Sequence, residues 1–308
     1  MLRISAVVVN YNSGPHLQTC VESLVKYLNL DNGFDEIIIV DNDSTDFSID
    51  SVADNPKAKC IRLQENKGYG GGCNVGFMRA NGDVLLFMNP DVTLLTPVEL
   101  ARESLEQNPN CAVVAPGIIE QNELCNTLRP FPSVLREIPQ ELGIASPATC
   151  WKNFSESSGP ERTFLFSDCY AQGSILFVRR DAFERIGGFD EAFFLYLEEV
   201  DLFRRLVDAG FVFLYDSRCL VKHRSGGSSN SLDWRKTAIR LNSRLLYYTK
   251  HVSISKLATY RAMIILVLLV KIVVCLPGVL LRFMNPRKIR AYLYALDIYL
   301  RGHRPWHP

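Results

Sequence analysis

The sequence predicts an α/β fold, a mostly parallel sheet flanked by helices and followed by a helical tail. Three observations predict it. Short apolar runs, the first two rich in Val and Ile and the third in Leu, lie at residues 4–9, 36–40 and 83–88, and runs of this kind mark strands buried on both faces of a parallel sheet. Segments of helical spacing separate the strands, and such alternation implies right-handed crossovers. Each strand also stops at a turn rich in Asn, Asp or Gly. Polar turns along one edge of a parallel sheet form a crevice, where open α/β sheets bind ligands.

The first strand, 4–9, ends at Asn10-Tyr11-Asn12-Ser13-Gly14, and Leu17, Cys20, Leu24 and Leu28 then mark a helix. Residues 36–40 form the second strand, ending in Asp41-Asn42-Asp43-Ser44-Thr45-Asp46. The third, 59–63, ends in Gln64-Glu65-Asn66-Lys67-Gly68-Tyr69. A helix over 70–80 opens on three successive glycines, which permit close backbone approach to another group. They follow the third strand and not the first, which disfavours a nicotinamide dinucleotide site. The fourth strand, 83–88, stops at Asn89-Pro90-Asp91. Pro90 cannot donate to a sheet and biases residue 89 away from helix, so the Asp91 carboxylate falls at the C-terminal tip of the strand.

A helix over 97–107 carries Pro in its first turn, and 111–115 and 175–178 are further strands. Residues 117–166 show no regular period, and 140–162, mixing Pro, Ser, Gly and Thr, reads as a loop. Gly187-Gly188 leads through an aromatic run to Glu198-Glu199-Val200-Asp201, three acids within four residues. Acids favoured by a helix N-terminus and a functional carboxylate cluster both fit that pattern. Val221-Lys222-His223 is a strand end before a Gly/Ser loop.

At 308 residues, 47% hydrophobic and 22% charged, the chain is long enough for one large α/β domain or two smaller ones. A net charge of +1 argues against a general nucleic-acid binder, but it hides an asymmetry. Residues 250–308 carry ten Lys or Arg against the single acid Asp297, a balance of +9; the remainder carries 24 against 32, a balance of −8. A basic, apolar tail on an acidic body points to an anionic membrane surface. The expected division is an α/β domain over 1–232 and a helical, membrane-associated region over 233–308. Nine scattered cysteines without a Cys-x-x-Cys pair read as free thiols in a reducing compartment. The apolar stretch at the N-terminus is too short for a signal peptide, so the body is expected in the cytoplasm.

In the tail, 233–249 reads as a helix, and 262–281 is almost wholly apolar except for Lys271 and Pro277-Gly278. About 20 apolar residues are needed to span a bilayer, and a central Lys costs roughly 3 kcal/mol on insertion scales. The expectation is an in-plane or re-entrant helix, peripheral or monotopic at the cytoplasmic face, flanked by Tyr292, Tyr294, Tyr299 and Trp306. A buried helical hairpin in a soluble oligomer is the alternative.

Four motifs in order, Val8-Val9-Asn10-Tyr11-Asn12, Val40 to Asp46, Asn66 to Gly76 and Met88-Asn89-Pro90-Asp91, resemble those of family 2 glycosyltransferases, most closely the rhamnosyltransferase-like branch. The resemblance covers roughly residues 4–230. It implies the GT-A fold, one Rossmann-like domain that binds a nucleotide-sugar donor. dTDP-rhamnose is the first donor guess, and a saccharide or lipid-linked saccharide the first acceptor guess. It further implies that Asn10, Asn12 and Asp41 lie around the nucleoside, with Asn66, Gly68 and Asn74 close to the donor. Asp91 matches the last acid of a metal-binding triplet, usually Asp-x-Asp; this chain has Asn89 at the other acid position, also on the donor side. His223 matches a His-x-x-Gly-x-Ser pattern with Gly226 and Ser228, so His223 and Asp91 would share Mg²⁺ or Mn²⁺, the imidazole replacing the carboxylate missing at Asn89.

The resemblance makes Glu199 the general base, at a position that is usually Asp. Glu198 and Asp201 would orient it or bind acceptor hydroxyls, and Gly173 would lie on the acceptor side together with the 140–162 loop. Inversion by single displacement is implied in the same way. Two other readings remain. A nucleotidyltransferase should carry a Gly-rich phosphate loop after the first strand, where this chain has Asn10-Tyr11-Asn12. A non-catalytic nucleotide-sugar-binding or membrane scaffold protein would need no acid at position 199.

Overall fold

The structure is a computed structural model that describes residues 1–125, 127–142, 163–224, 234–280 and 287–303. Most of the loop expected over 140–162 lies outside the described residues, as do Gly226, Ser228 and Trp306. The elements in chain order are β1 (Ile4–Asn10), α1 (His16–Tyr27), β2 (Glu36–Asp41), β3 (Ala58–Arg62), α2 (Gly68–Phe77), β4 (Val84–Met88), β5 (Val92–Leu94) and α3 (Glu99–Gln107). They continue with β6 (Cys111–Glu120), β7 (Glu123–Cys125), β8 (Leu128–Pro130), α4 (Val134–Glu141), β9 (Thr163–Phe166), β10 (Cys169–Ala171), β11 (Ile175–Arg179) and α5 (Arg180–Arg185). The last are α6 (Glu198–Asp208), β12 (Val212–His223), α7 (Trp234–His251), α8 (Ile254–Leu280) and α9 (Arg287–Arg301). The chain forms two compact units, one of residues 1–131, 149–191 and 199–227, the other of 132–148, 192–198 and 228–308.

In the first unit, ten strands form one mixed sheet in the order β3-β2-β1-β4-β11-β6-β12-β5, with β7 beside β6 and β9 beside β12. β3, β2, β1 and β4 run parallel, as their alternation with helices predicts. β11 enters antiparallel between β4 and β6, and β12 pairs parallel with β6. β8 and β10 make a separate antiparallel pair.

The β1 run explains itself in this sheet. Ile4, Ala6 and Val8 pack with Leu17, Cys20 and Leu24 of α1 on one face. Val7 and Val9 pack with Cys73, Phe87 and Phe183 on the other. A strand covered on both faces needs apolar residues at every position, because successive side chains point to opposite sides. The α2 glycines serve the same packing. A Cβ on Gly72 would lie 2.6 Å from Val9 Cγ1, and one on Gly76 would collide with Val7. The group they approach at these positions is therefore the first strand.

Three strands deliver side chains to one edge of the sheet. Asn89 N donates to Ser174 O at 2.8 Å, which carries the β4–β11 ladder past its last strand pair. His223, at the end of β12, stands opposite Val92. Asp91, Gly173 and His223 thus share the C-terminal edge of the parallel strands.

The second unit holds α4, α7, α8 and α9. Tyr248 stacks on Tyr260 with ring centroids 3.9 Å apart, and the Tyr260 and Tyr299 hydroxyls lie within 3.1 Å. Arg244 of α7 pairs with Glu137 and Glu141 of α4. Lys271, the one charge within the apolar stretch of α8, donates to Glu141 Oε2 at 3.2 Å. It is neutralised by a helix more than a hundred residues upstream. Residues 254–277 are long and apolar enough to cross a membrane by length and composition, with mean hydropathy 2.3, and 22% of that window is buried. Leu266, Val273 and Val274 are 63%, 69% and 70% exposed.

Candidate active site

The turn after β1 and the turn after β2 are tied together by side chains. Asn10 is fully buried, and its Nδ2 lies 2.7 Å from Asp41 Oδ1, 2.9 Å from Ser48 Oγ and 3.1 Å from Ser44 Oγ. Ser13 donates to Asn10 Oδ1 from the other side. Asn12 adopts a left-handed φ of +49°, and its Oδ1 accepts from the backbone N–H groups of Thr45 at 2.8 Å and Asp46 at 3.1 Å. A short amide is one of the few non-glycine side chains that tolerate that backbone. Parallel β1 and β2 are thereby locked at the edge where their polar turns meet.

Asn42 continues the link to the turn after β3. It was not among the site residues derived from sequence. Its Nδ2 donates to Asn66 Oδ1 at 3.0 Å and to Gly68 O at 2.9 Å, while its Oδ1 accepts from Lys67 N at 2.9 Å. Asn66 Oδ1 also accepts from Gly68 N at 2.9 Å, and Gly68 has a φ of +75°. That conformation suits glycine and turns the chain directly into α2. The one signal for Asn42 was its place between Asp41 and Asp43 at a strand end. Asn74, expected close to the donor, uses its amide within the chain: Oδ1 accepts from Phe189 N at 3.0 Å, and Nδ2 donates to Phe189 O at 2.9 Å and Glu191 Oε1 at 3.0 Å. It acts as a strut for the turn at 187–191.

Asp91 and His223 come together at this edge. Asp91 Oδ2 lies 3.4 Å from His223 Nε2, and His223 Nδ1 lies 2.6 Å from Glu120 Oε1. Burial alone would lower the pKa of His223, but hydrogen bonds to Asp91 and Glu120 outweigh it and hold the pKa above its ordinary value. Asp91 Oδ1 is buried and has no hydrogen-bond partner among the described residues. A buried carboxylate oxygen left in that state is costly unless a cation or donor group meets it. Among the described residues no three His, Cys, Asp or Glu side chains form a metal cage. Asp91 and His223 nevertheless fit Mg²⁺ or Mn²⁺ of the kind that takes one or two protein ligands and completes its shell with substrate phosphates and water. Cys20 approaches Asn89 O at 3.8 Å, but burial, and then the Asp91 charge, push its thiol far above the range where it would ionise.

Glu199 is half-buried beside Gly173. A Cβ on Gly173 would lie 2.9 Å from Glu199 Cβ, so a glycine is required for the two to approach. The Gly173 carbonyl is held by the Tyr69 hydroxyl at 3.2 Å. Tyr196 and Leu197, just before α6, have φ values of +68° and +65°. Two consecutive bulky residues in the left-handed region are strained, and such strain clusters at functional sites. Glu198 is buried, 6% exposed. Asp201 is tied to an arginine of its own helix. It is fully buried and bonds Arg205 Nε at 2.7 Å, and Arg205 donates in turn to the carbonyls of Ile186 and Gly188. Through Arg205 its carboxylate braces the Gly187-Gly188 turn.

The open α/β sheet gathers a carboxylate–imidazole pair and a separate acid at its C-terminal edge, where sheets of this kind bind their ligands. Residues 5–187 match the family described as Glycosyl transferase family 2, and the chain belongs to that family. It is therefore a glycosyltransferase. The N-acetylglucosaminyl-diphospho-decaprenol L-rhamnosyltransferase of Mycobacterium tuberculosis is 28% identical over 241 residues, 73% of this chain and 77% of that one. The low-salt glycan biosynthesis hexosyltransferase Agl10 of Haloferax volcanii is 24% identical over 202 residues, 64% of this chain and 59% of that one. Among solved structures, GalNAc-T7 with UDP, GalNAc and Mn²⁺ aligns at a TM-score of 0.58 and 16% identity, over 85% of this chain and 55% of that one. The mannosyltransferase PcManGT of Pyrobaculum calidifontis, in complex with GDP-Man and Mn²⁺, aligns at 0.57 and 13% identity, over 97% and 87%. Such likeness shows the shared GT-A fold.

Proposed function

We propose that this glycosyltransferase moves a sugar from a nucleotide-sugar donor to a hydroxyl of a saccharide or lipid-linked saccharide, inverting the anomeric carbon in a single displacement. dTDP-rhamnose is the first donor to try, and the name of the Mycobacterium relative supports a lipid-diphosphate-linked acceptor. The observation that carries the reading is the Asp91–His223 pair at the strand edge, with Asp91 Oδ1 buried and unpartnered.

Asp91 and His223 are the residues that would hold Mg²⁺ or Mn²⁺. When bound, that cation neutralises the charge developing on the leaving diphosphate. The Asn10–Asp41 and Asn12–Thr45 links hold the crevice wall that would receive the nucleoside, and Asn66, Gly68 and Asn89 line the donor side. Glu199 would accept the proton of the acceptor hydroxyl as that oxygen bonds to the anomeric carbon and the bond to the diphosphate breaks. Gly173 would give the acceptor room beside Glu199. Catalysis belongs in this reading to residues 1–232.

Residues 233–308 would hold the enzyme at the cytoplasmic face of a membrane. The exposed apolar face of α8 would lie in the bilayer interface, and the basic excess of the tail would meet anionic headgroups. Val273→Glu with Val274→Glu, both on exposed positions, should then abolish pelleting with anionic vesicles; unchanged pelleting would remove α8 from the account.

The experiment is a transfer screen across nucleotide sugars and polyprenyl-diphosphate saccharides, with and without EDTA, for wild type, Asp91→Ala and Glu199→Gln. EDTA-sensitive transfer that both substitutions abolish supports the reading, and turnover surviving both sinks it. Pyrophosphate release from a sugar phosphate and a nucleoside triphosphate would mark a nucleotidyltransferase, and donor binding without turnover a non-catalytic protein.

A further inference from the structure

We propose that Glu120 is a positioning residue for His223, fixing the imidazole so that Nε2 presents its lone pair beside Asp91. The inference rests on the reading of Asp91 and His223 as cation ligands.

The hydrogen bond sets the direction. An ionised carboxylate only accepts, so the 2.6 Å contact between Glu120 Oε1 and His223 Nδ1 puts a hydrogen on Nδ1. In a neutral imidazole the lone pair then belongs to Nε2, the nitrogen 3.4 Å from Asp91 Oδ2. Without Glu120 the ring would be free to flip or to carry its hydrogen on Nε2, and a hydrogen on the nitrogen beside Asp91 would occupy the lone pair a cation needs. A carboxylate behind a ligating histidine is the usual means of holding its tautomer and raising its basicity.

The fold holds Glu120 as firmly as it holds His223. β6 and β12 run parallel with Lys222 opposite Ile119, so the next residues of the two strands, Glu120 and His223, emerge side by side. Glu120 also closes the β6–β7 hairpin opposite Glu123. The two residues between them, Gln121 and Asn122, have φ values of +50° and +67°. A two-residue turn with both φ positive matches the twist of a hairpin and fixes its register. Neither residue is glycine, and Gln is a poor choice for that conformation, so this turn is held under strain of the kind found at functional sites. The result is a rigid platform for one carboxylate aimed at one imidazole.

The test measures Mn²⁺ affinity of the full-length protein in detergent, by electron paramagnetic resonance with dTDP present, for wild type and three variants. Glu120→Ala should weaken Mn²⁺ binding by about 10–100-fold, with dTDP binding in the absence of Mn²⁺ unchanged. Glu120→Met, which keeps the bulk but removes the acceptor, should behave as Glu120→Ala does and decides the matter if the alanine variant fails to fold. Glu120→Gln keeps an oxygen that accepts from Nδ1 and should recover most of the affinity, which a purely structural role would not explain. Wild-type affinity in a folded Glu120→Ala or Glu120→Met protein overturns the inference, as does a Glu120→Gln protein no better than those two. If wild type itself binds no Mn²⁺ with dTDP present and transfers sugar in EDTA, the cation reading falls and this inference with it.

Discussion

The two edges of the same sheet carry acids at strand ends, and they treat them differently. At the N-terminal edge Asp35, Glu36 and Asp83 are used within the chain. Asp35 Oδ1 accepts from Ile4 N at 2.8 Å, and its Oδ2 accepts from Asn29 N at 2.9 Å and Arg102 Nη2 at 2.7 Å. The Asp35 and Arg102 side chains are 0% and 2% exposed. Glu36 accepts from Ser5 Oγ and Asn81 N at 2.7 Å and from Lys59 at 2.6 Å. Asp83 accepts from Arg3 N at 2.9 Å. At the C-terminal edge Asp91 keeps one buried oxygen without a hydrogen bond. The first arrangement pins strands and helices to one another. The second leaves Asp91 Oδ1 without a hydrogen bond among the described residues, while Oδ2 faces His223. Strand-end acids are therefore told apart by how their lone pairs are used.

Substitutions at the two edges should separate accordingly. The largest effect is expected for Glu199→Gln, which keeps shape but loses basicity: kcat should fall by about 10²–10⁴-fold with Mn²⁺ and dTDP binding intact. Asp91→Ala should lower kcat by about 10³-fold, the equivalent of about 4 kcal/mol of charge stabilisation, and leave the melting curve near that of wild type. Asp35→Ala should do the reverse. It strands the buried Arg102 and should cost about 3–5 kcal/mol of stability in urea unfolding, while the folded fraction retains its specific activity. Equal losses of activity and stability at both edges would dissolve the distinction.

The smallest effect concerns pH. Burial would raise the pKa of Glu36, but hydrogen bonds from Lys59, Ser5 and Asn81 outweigh it and hold it below its ordinary 4.5. A folded pKa below the unfolded one contributes stability that is complete above the unfolded value and fades as pH falls through the folded one. Urea midpoints of wild type should therefore drop more steeply below about pH 4.5 than those of Glu36→Gln. Parallel curves would show that Glu36 contributes nothing through its charge.

The parallel wing of the fold was legible because its evidence is local: β-branched runs, helical stripes and polar turns within a few residues of one another. The strand turns carrying Asn10, Asp41 and Asn66 were legible for the same reason. The placement of β11 was not, since nothing around residues 175–179 announces that this strand inserts antiparallel between β4 and β6. Glu120 was hidden by its separation of 103 residues from His223 and by a turn of unremarkable composition. The three clustered acids are separated by their positions on a helix, which composition does not show. At about 100° per residue, Glu199 and Asp201 project roughly 200° apart, so they cannot serve the same face. One lies beside Gly173 and the other pairs with Arg205 inside the unit. Lys271 likewise looked like an isolated charge until α4 supplied Glu141.

The most direct measurement is anomalous scattering at the Mn²⁺ edge from crystals grown with dTDP and Mn²⁺. The expected result is a peak within coordination distance of Asp91 and His223, shared with the nucleotide diphosphate at the C-terminal edge of the sheet. An ordered diphosphate with no peak there, or a peak elsewhere, would contradict the assignment of Asp91 as the working acid.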